Sequence, residues 1–233
     1  MIKQPVMKKL LTFIFISILF SLTNIACSQE KLPFKLGLKV SPNIGWMSPG
    51  SKDYASDGAC AGATVGFVGD FYFAKNYALS TGFNFQFLNG KLSYPDARDT
   101  LSGQISRKYN FLYLEIPLMI KMQTKTFGKI SFYGQIGFGT AFRLKATYKE
   151  KFYSSRGQEI DQQDNLTDST SFIRESIIIG VGCEYHVDES TRLFAGLSYN
   201  NSLNNVLSGM NYKTHLNEKS MLNFVELTIG ILF

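Results

Sequence analysis

The sequence predicts an all-β fold, an eight-stranded antiparallel transmembrane β-barrel with short periplasmic turns and longer external loops, on three observations. The first is the stretch 109–121, where a period of two sends Leu112, Leu114, Ile116, Leu118 and Ile120 to one side and Tyr113, Glu115, Pro117, Met119 and Lys121 to the other. Pro117 would break a helix, so the stretch is a strand. The second is the chemistry of the two sides: the aliphatic side carries no charge and the other carries a carboxylate, an inversion that suits lipid outside and a polar lumen inside. The third is the recurrence of this alternation in segments joined by alternately short and long connections. Pro117 is the awkward residue, because it has no N–H for a ladder and proline is normally confined to strand edges, strand starts or bulges.

The 233 residues are 45% hydrophobic, with 20 Phe, 12 Tyr and 20 Gly, a composition that favours one β-rich domain. Lys3, Lys8 and Lys9 precede an apolar run over 10–22 and then small and polar residues, so 1–28 reads as a secretory signal peptide and 29–233 as the barrel domain. Ala26 and Ser28 favour cleavage before Gln29; lipidation of Cys27 is disfavoured by Asn24, which stands where a lipoprotein signal carries an aliphatic residue. The formal charge of +6 shrinks once the signal lysines leave, from 24 basic residues against 18 acidic to 21 against 18. Dispersed basic residues give no argument for nucleic acid.

The first strand starts at Phe34, with Leu36, Leu38, Val40, Ile44 and Trp46 outward and Lys35, Lys39, Ser41 and Asn43 inward. Turn formers fill 47–59 as a loop, and the second strand turns Ala61, Ala63, Val65, Phe67, Phe71 and Phe73 to lipid. After a tight turn at 74–76 the third strand carries Leu79, Phe83, Phe85 and Phe87 outward. A looser polar connection over 93–104 leads to the fourth strand, the stretch 109–121. A short turn at 124–128 follows, and the fifth strand sets Ile130, Phe132, Ile136, Phe138, Phe142 and Leu144 outward and Tyr133, Gln135, Arg143 and Lys145 inward. Residues 148–170 form the most polar and longest connection, expected as a contact surface. The sixth strand turns Ile177, Ile179, Val181 and Cys183 outward and Arg174 and Glu184 inward. A turn at 188–190, a seventh strand over 192–200, a polar loop to about Lys219 and an eighth strand ending at Phe233 complete the chain. Ten glycines, among them Gly66, Gly139, Gly182, Gly196 and Gly230, fall on the inward face, where a narrow barrel needs room for larger neighbours. Cys60 and Cys183 fall on opposite faces, which argues against a disulfide between them.

The piece Tyr113-Leu114-Glu115-Ile116-Pro117-Leu118, in a signal-bearing eight-strand pattern that ends in Phe233, resembles the PorT-type outer-membrane β-barrel proteins. The resemblance implies an outer-membrane location. It implies that the terminal aromatic Phe233 is the signal read by the barrel assembly machinery. The namesake's part in protein secretion makes a secretion or other envelope protein partner an alternative role.

No spacing links His186 and His215 to each other or to cysteine, so no metal and no cofactor are expected. His215 with Ser208 or Glu218 could be cast as a lipid-modifying site, but a polar loop offers such neighbours by chance, and no catalytic residue is assigned. The sequon at Asn165 is a chance match in a polar loop. Eight strands leave an interior just wide enough for side chains, so Glu115 is expected in a plugged polar lumen rather than a transport path. Closing the first strand on the eighth places Lys39 near Glu226, with Glu115 at similar depth, as a structural network. The expected role is a structural or interaction scaffold among outer-membrane lipids that presents external loops. Secretion machinery and a membrane-embedded enzyme are the alternatives.

Overall fold

The structure, a computed structural model, describes residues 34–51, 53–98, 101–154, 159–166, 169–209 and 218–233. The signal peptide, its cleavage site and Cys27 lie outside these residues, as does His215. Ten strands form in chain order: β1 (Phe34–Pro49), β2 (Ala55–Ser56), β3 (Cys60–Ala74), β4 (Tyr77–Arg98), β5 (Leu101–Gln123), β6 (Ile130–Ser154), β7 (Glu159–Asn165), β8 (Ile173–His186), β9 (Arg192–Ser202) and β10 (Ser220–Leu232). Eight of them close a ring in the order β1-β3-β4-β5-β6-β8-β9-β10, the last pairing with the first. β2 adds to β4 and β7 to β6 at the end where the long connections lie. Every pairing is antiparallel, so no edge is left around the ring itself.

Leu36, Ile44, Phe67, Phe83, Leu118, Phe138, Val181 and Leu227 stand exposed on the outer wall, while Ser41, Asn84, Glu115, Arg174 and Glu226 are buried inside. Such a surface would be untenable in water and is what lipid requires. Pro117 is accommodated without breaking the ring. The β4–β5 ladder passes directly from Thr81↔Leu118 to Asn84↔Glu115, and the Thr81 hydroxyl donates to the Pro117 carbonyl at 2.7 Å across that gap.

Three expectations are corrected. The polar stretch 93–104 is not a loose connection, because β4 and β5 stay paired through Tyr94↔Ile105 to Arg98↔Leu101. The stretch 148–170 is likewise no open loop: β6 runs on to Ser154, and β7 folds back on it from Tyr153↔Glu159 to Thr147↔Asn165. The sequon residue Asn165 therefore ends a strand. At its full 25 residues β6 spans about 80 Å, whereas a membrane crossing takes ~9–11 residues. The excess forms a sheet beyond the lipid. Its strands are polar outside but carry Leu92, Tyr94, Ile105, Tyr109 and Phe152 buried on the inner face, so the same period of two persists without a greasy outer wall.

Lys145 is the third correction. The β5–β6 register shifts between Leu112 and Tyr113, whose partners are Lys145 and Arg143, leaving Leu144 as an extra residue. This bulge reverses the faces beyond it, so Lys145, Lys149 and Lys151 are exposed while Ala146, Glu150 and Phe152 point in.

Candidate functional site: the filled lumen and the external sheet

The interior is stacked in layers. Nearest the short turns, Lys121 Nζ lies 2.6 Å from Asp70 and 2.5 Å from Glu184, and Arg192 reaches the other Glu184 oxygen at 2.9 Å. Arg192 also donates to the Tyr72 hydroxyl at 3.1 Å, and the Lys121 ammonium sits 4.6 Å from the centre of the Tyr133 ring. Tyr133 fits because of its row in the sheet: Tyr133↔Gly182↔Gly196 places two glycines beside it, and a Cβ at either would run into the tyrosine hydroxyl.

The next layer holds the expected Lys39 and Glu226, with Nζ 3.5 Å from Oε1. The Ser198 hydroxyl donates to the same Glu226 oxygen at 3.3 Å, and Ser41 and Thr228 share a hydrogen bond of 2.8 Å alongside. Lys39, Glu226, Glu115 and Lys121 line one cavity of about 40 Å³, room for a water or so.

Glu115 faces that cavity, but its ionic partner is Arg174, Nη2 to Oε1 at 3.5 Å. Its other oxygen accepts from Asn84 at 2.9 Å and Gln86 at 2.5 Å. Arg174 in turn donates to Gln86, Asn200 and Ser202 at 2.8, 3.2 and 3.3 Å, with the Tyr113 and Phe224 rings on its flanks. The register explains the meeting. Asn84, Glu115, Ala141 and Arg174 form one row across four neighbouring strands, and the small Ala141 lets the long arginine reach over it. Sequence reasoning placed Arg174 inward without pairing it, and it missed Asp70, Lys121, Glu184 and Arg192 as members of the network.

Above Arg174 the lumen is apolar, a correction to an all-polar plug. Met47, Leu88, Leu92, Tyr109, Phe111, Tyr113, Leu166, Val206, Leu207, Leu222 and Phe224 form a buried cluster. Here the ring opens into the external sheet and packs like a water-soluble domain, with loop residues closing it from above. Beyond it Arg107 bridges Glu150, whose oxygen lies 2.6 Å from Nε, and lies near Glu218 at 3.9 Å; the Tyr54 hydroxyl donates to Glu218 at 2.9 Å. Glu218 is thus engaged structurally, while the Ser208 amide donates to the Ser169 carbonyl at 3.0 Å. Burial raises the Tyr94 phenol in this cluster, against the Arg107 guanidinium beside it.

At the other end Phe233 and Leu36 exchange backbone hydrogen bonds of 2.8 and 3.1 Å, extending the β1–β10 seam. Asp188 accepts from the Thr191 and Ser190 amides at 2.7 and 2.8 Å, and these bonds hold its carboxyl down at about 2. Cys60 and Cys183 are both free thiols.

The family model described as outer membrane protein beta-barrel domain matches residues 27–208. The chain belongs to this family. It is an outer-membrane protein; in barrels of this kind the short turns face the periplasm. Among solved structures, this barrel is similar to Neisserial surface protein A, at 12% identity over 85% of this chain and 95% of that one, with a TM-score of 0.46. OprG from Pseudomonas aeruginosa shows 11% identity over 85% and 95%, with a TM-score of 0.42. The attachment invasion locus protein Ail of Yersinia pestis shows 13% identity over 85% and 98%, with a TM-score of 0.36. No curated protein sequence matches the barrel.

Proposed function

We propose that this barrel is a non-catalytic scaffold with a closed lumen, which holds the external sheet of β4, β5, β6 and β7 outside the membrane for an envelope protein partner. The filled lumen carries the reading: the Glu115–Arg174 pair lies beneath a continuous apolar plug, and the cavity at Lys39 and Glu226 is about 40 Å³. A conducting pore needs a continuous wet path, and an apolar plug denies one. The external sheet, in contrast, is rigidified by its own core of Tyr94, Ile105 and Phe152, more than a mere connection requires.

The piece that resembles PorT-type proteins has structural work here, since Glu115 binds Arg174 and Pro117 sits at the ladder gap. The resemblance supports a secretion partner as one occupant of the platform. Two measurements test the proposal. Purified protein in a planar bilayer should show no steady conductance, and photocrosslinkers at Lys151 and Tyr153 in intact cells should capture a defined envelope protein. A stable open channel would overturn the closed-lumen reading.

A further inference from the structure

The outer face of the external sheet carries an arrangement that sheet energetics disfavour. Lys91 pairs with Lys108, and Lys108 pairs with Lys149, so three lysines stand directly opposite one another on adjacent strands. The bulge at Leu144 is what turns Lys149 to this face. Like charges directly opposite destabilise a sheet. Among the described residues none of the three makes an ion pair, and the row ends on the neutral Gln163 of β7. The carboxylate of Asp57 approaches this face, but it accepts from the Ser106 hydroxyl at 2.5 Å.

The height of the row suggests what offsets the repulsion. Phe87 and Leu112 form the last apolar row of the outer wall, paired onward to the exposed Lys145. The lysine row lies four residues further along β4, about 13 Å along a tilted strand. At the ~35–45° tilt of such strands this is a rise of roughly 9–11 Å, so the lysine backbone clears the hydrocarbon and stands just above the headgroup layer, ~5–7 Å thick on each side. Asn89, Asn110 and Thr147 fill the row between, offering hydrogen bonds but no charge. Neighbouring strands are ~4.8 Å apart, so the ammonium groups span about 10 Å, and their flexible stems can reach back toward the membrane. A ligand that matches them carries two or more anionic groups at that spacing and is anchored in the lipid.

We propose that Lys91, Lys108 and Lys149 form a binding site for an outer-leaflet lipid whose headgroup carries two or more phosphates. The site rests on the membrane placement of the barrel and is independent of whether the lumen is closed. The test uses the full mature protein in neutral detergent with diphosphoryl lipid A as probe, and bound lipid is counted by native mass spectrometry. The triple variant K91Q/K108Q/K149Q should bind at least tenfold more weakly. The charge-matched variant K75Q/K125Q/K129Q, altered at the periplasmic turns, should bind as the wild type does. Heat-dependent gel mobility verifies that each variant is folded; if the triple variant does not assemble, K108Q alone should still weaken binding several-fold. Undiminished binding in the lysine-row variants, or an equal loss in the turn variant, would overturn the site. Full displacement by inorganic phosphate at the lipid's own concentration would make it a free-phosphate site and overturn the membrane assignment.

Discussion

Arg174 reaches over Ala141 to bring Nη2 within 3.5 Å of Glu115 Oε1, and both side chains are fully enclosed. Removing one member of such a buried pair leaves its mate uncompensated, a loss of about 3–5 kcal/mol, whereas replacing both with apolar groups approaches neutrality. Arg174→Met or Glu115→Leu alone should therefore lower the thermal midpoint of heat-modifiable mobility more than the double variant does. Lys39–Glu226 makes a contrast, because both side chains retain slight exposure at the cavity. Lys39→Met should cost less than Arg174→Met, and additive losses in the Arg174/Glu115 double variant would show that the two act independently.

The Tyr133 ring depends on the glycines in its row. A Cβ at Gly196 meets chiefly the Tyr133 hydroxyl, with the nearest backbone atom at 3.1 Å. Overpacking of this kind costs about 1–3 kcal/mol. Gly196→Ala should lower the midpoint accordingly, and Tyr133→Phe in the same chain should restore most of it by removing the clashing oxygen. No rescue would place the strain in the backbone instead.

The alternation that defines the wall was legible because lipid imposes an uninterrupted apolar face, visible in Leu114, Ile116, Leu118 and Ile120 without any knowledge of neighbours. The inward direction of Glu115 and Arg174 was legible on the same ground. Their meeting was not, because it depends on the register of two successive strand pairs, and the wrong face assigned to Lys145 shows how one bulged residue defeats a count by twos. The external sheet escaped notice for a different reason. Leu92, Tyr94, Ile105 and Tyr109 do alternate, but beyond the hydrocarbon the opposite face is Lys91, Ser93, Ser106 and Lys108, which resembles a loop when a greasy outer wall is the criterion.

Asp188 gives the periplasmic turn a pH signature. Hydrogen bonds from the Thr191 and Ser190 amides favour its charged form and hold the folded carboxyl at about 2, below the ordinary value of 3.8. A depressed folded value means that the turn's stabilisation is complete above the unfolded value and is lost as pH falls through the folded one. Between pH 5 and pH 2 the wild type should thus lose stability that Asp188→Ala never had, and the two melting curves should converge near the acid end. Parallel curves over that window would mean that the aspartate bonds do not hold the turn.

Phe233 combines two possible contributions to assembly, and the structure separates them. Its backbone exchanges hydrogen bonds with Leu36 at 2.8 and 3.1 Å, while its ring stands exposed on the outer wall. Deleting Phe233 removes both the ring and the last bonds of the β1–β10 seam, whereas Phe233→Ala keeps the bonds and removes only the ring. The seam joins the first and last strands of the ring, so its pairing is the most distant in sequence and pays the largest loop-closure entropy. If the ring is the signal read by the barrel assembly machinery, Phe233→Ala should lower the yield of folded barrel in cells as much as the deletion does, while Phe233→Tyr should assemble normally. Refolding in detergent micelles, without any machinery, should then be little affected by Phe233→Ala. An alanine variant that assembles in cells at the wild-type level would assign the contribution of Phe233 to its backbone bonds with Leu36.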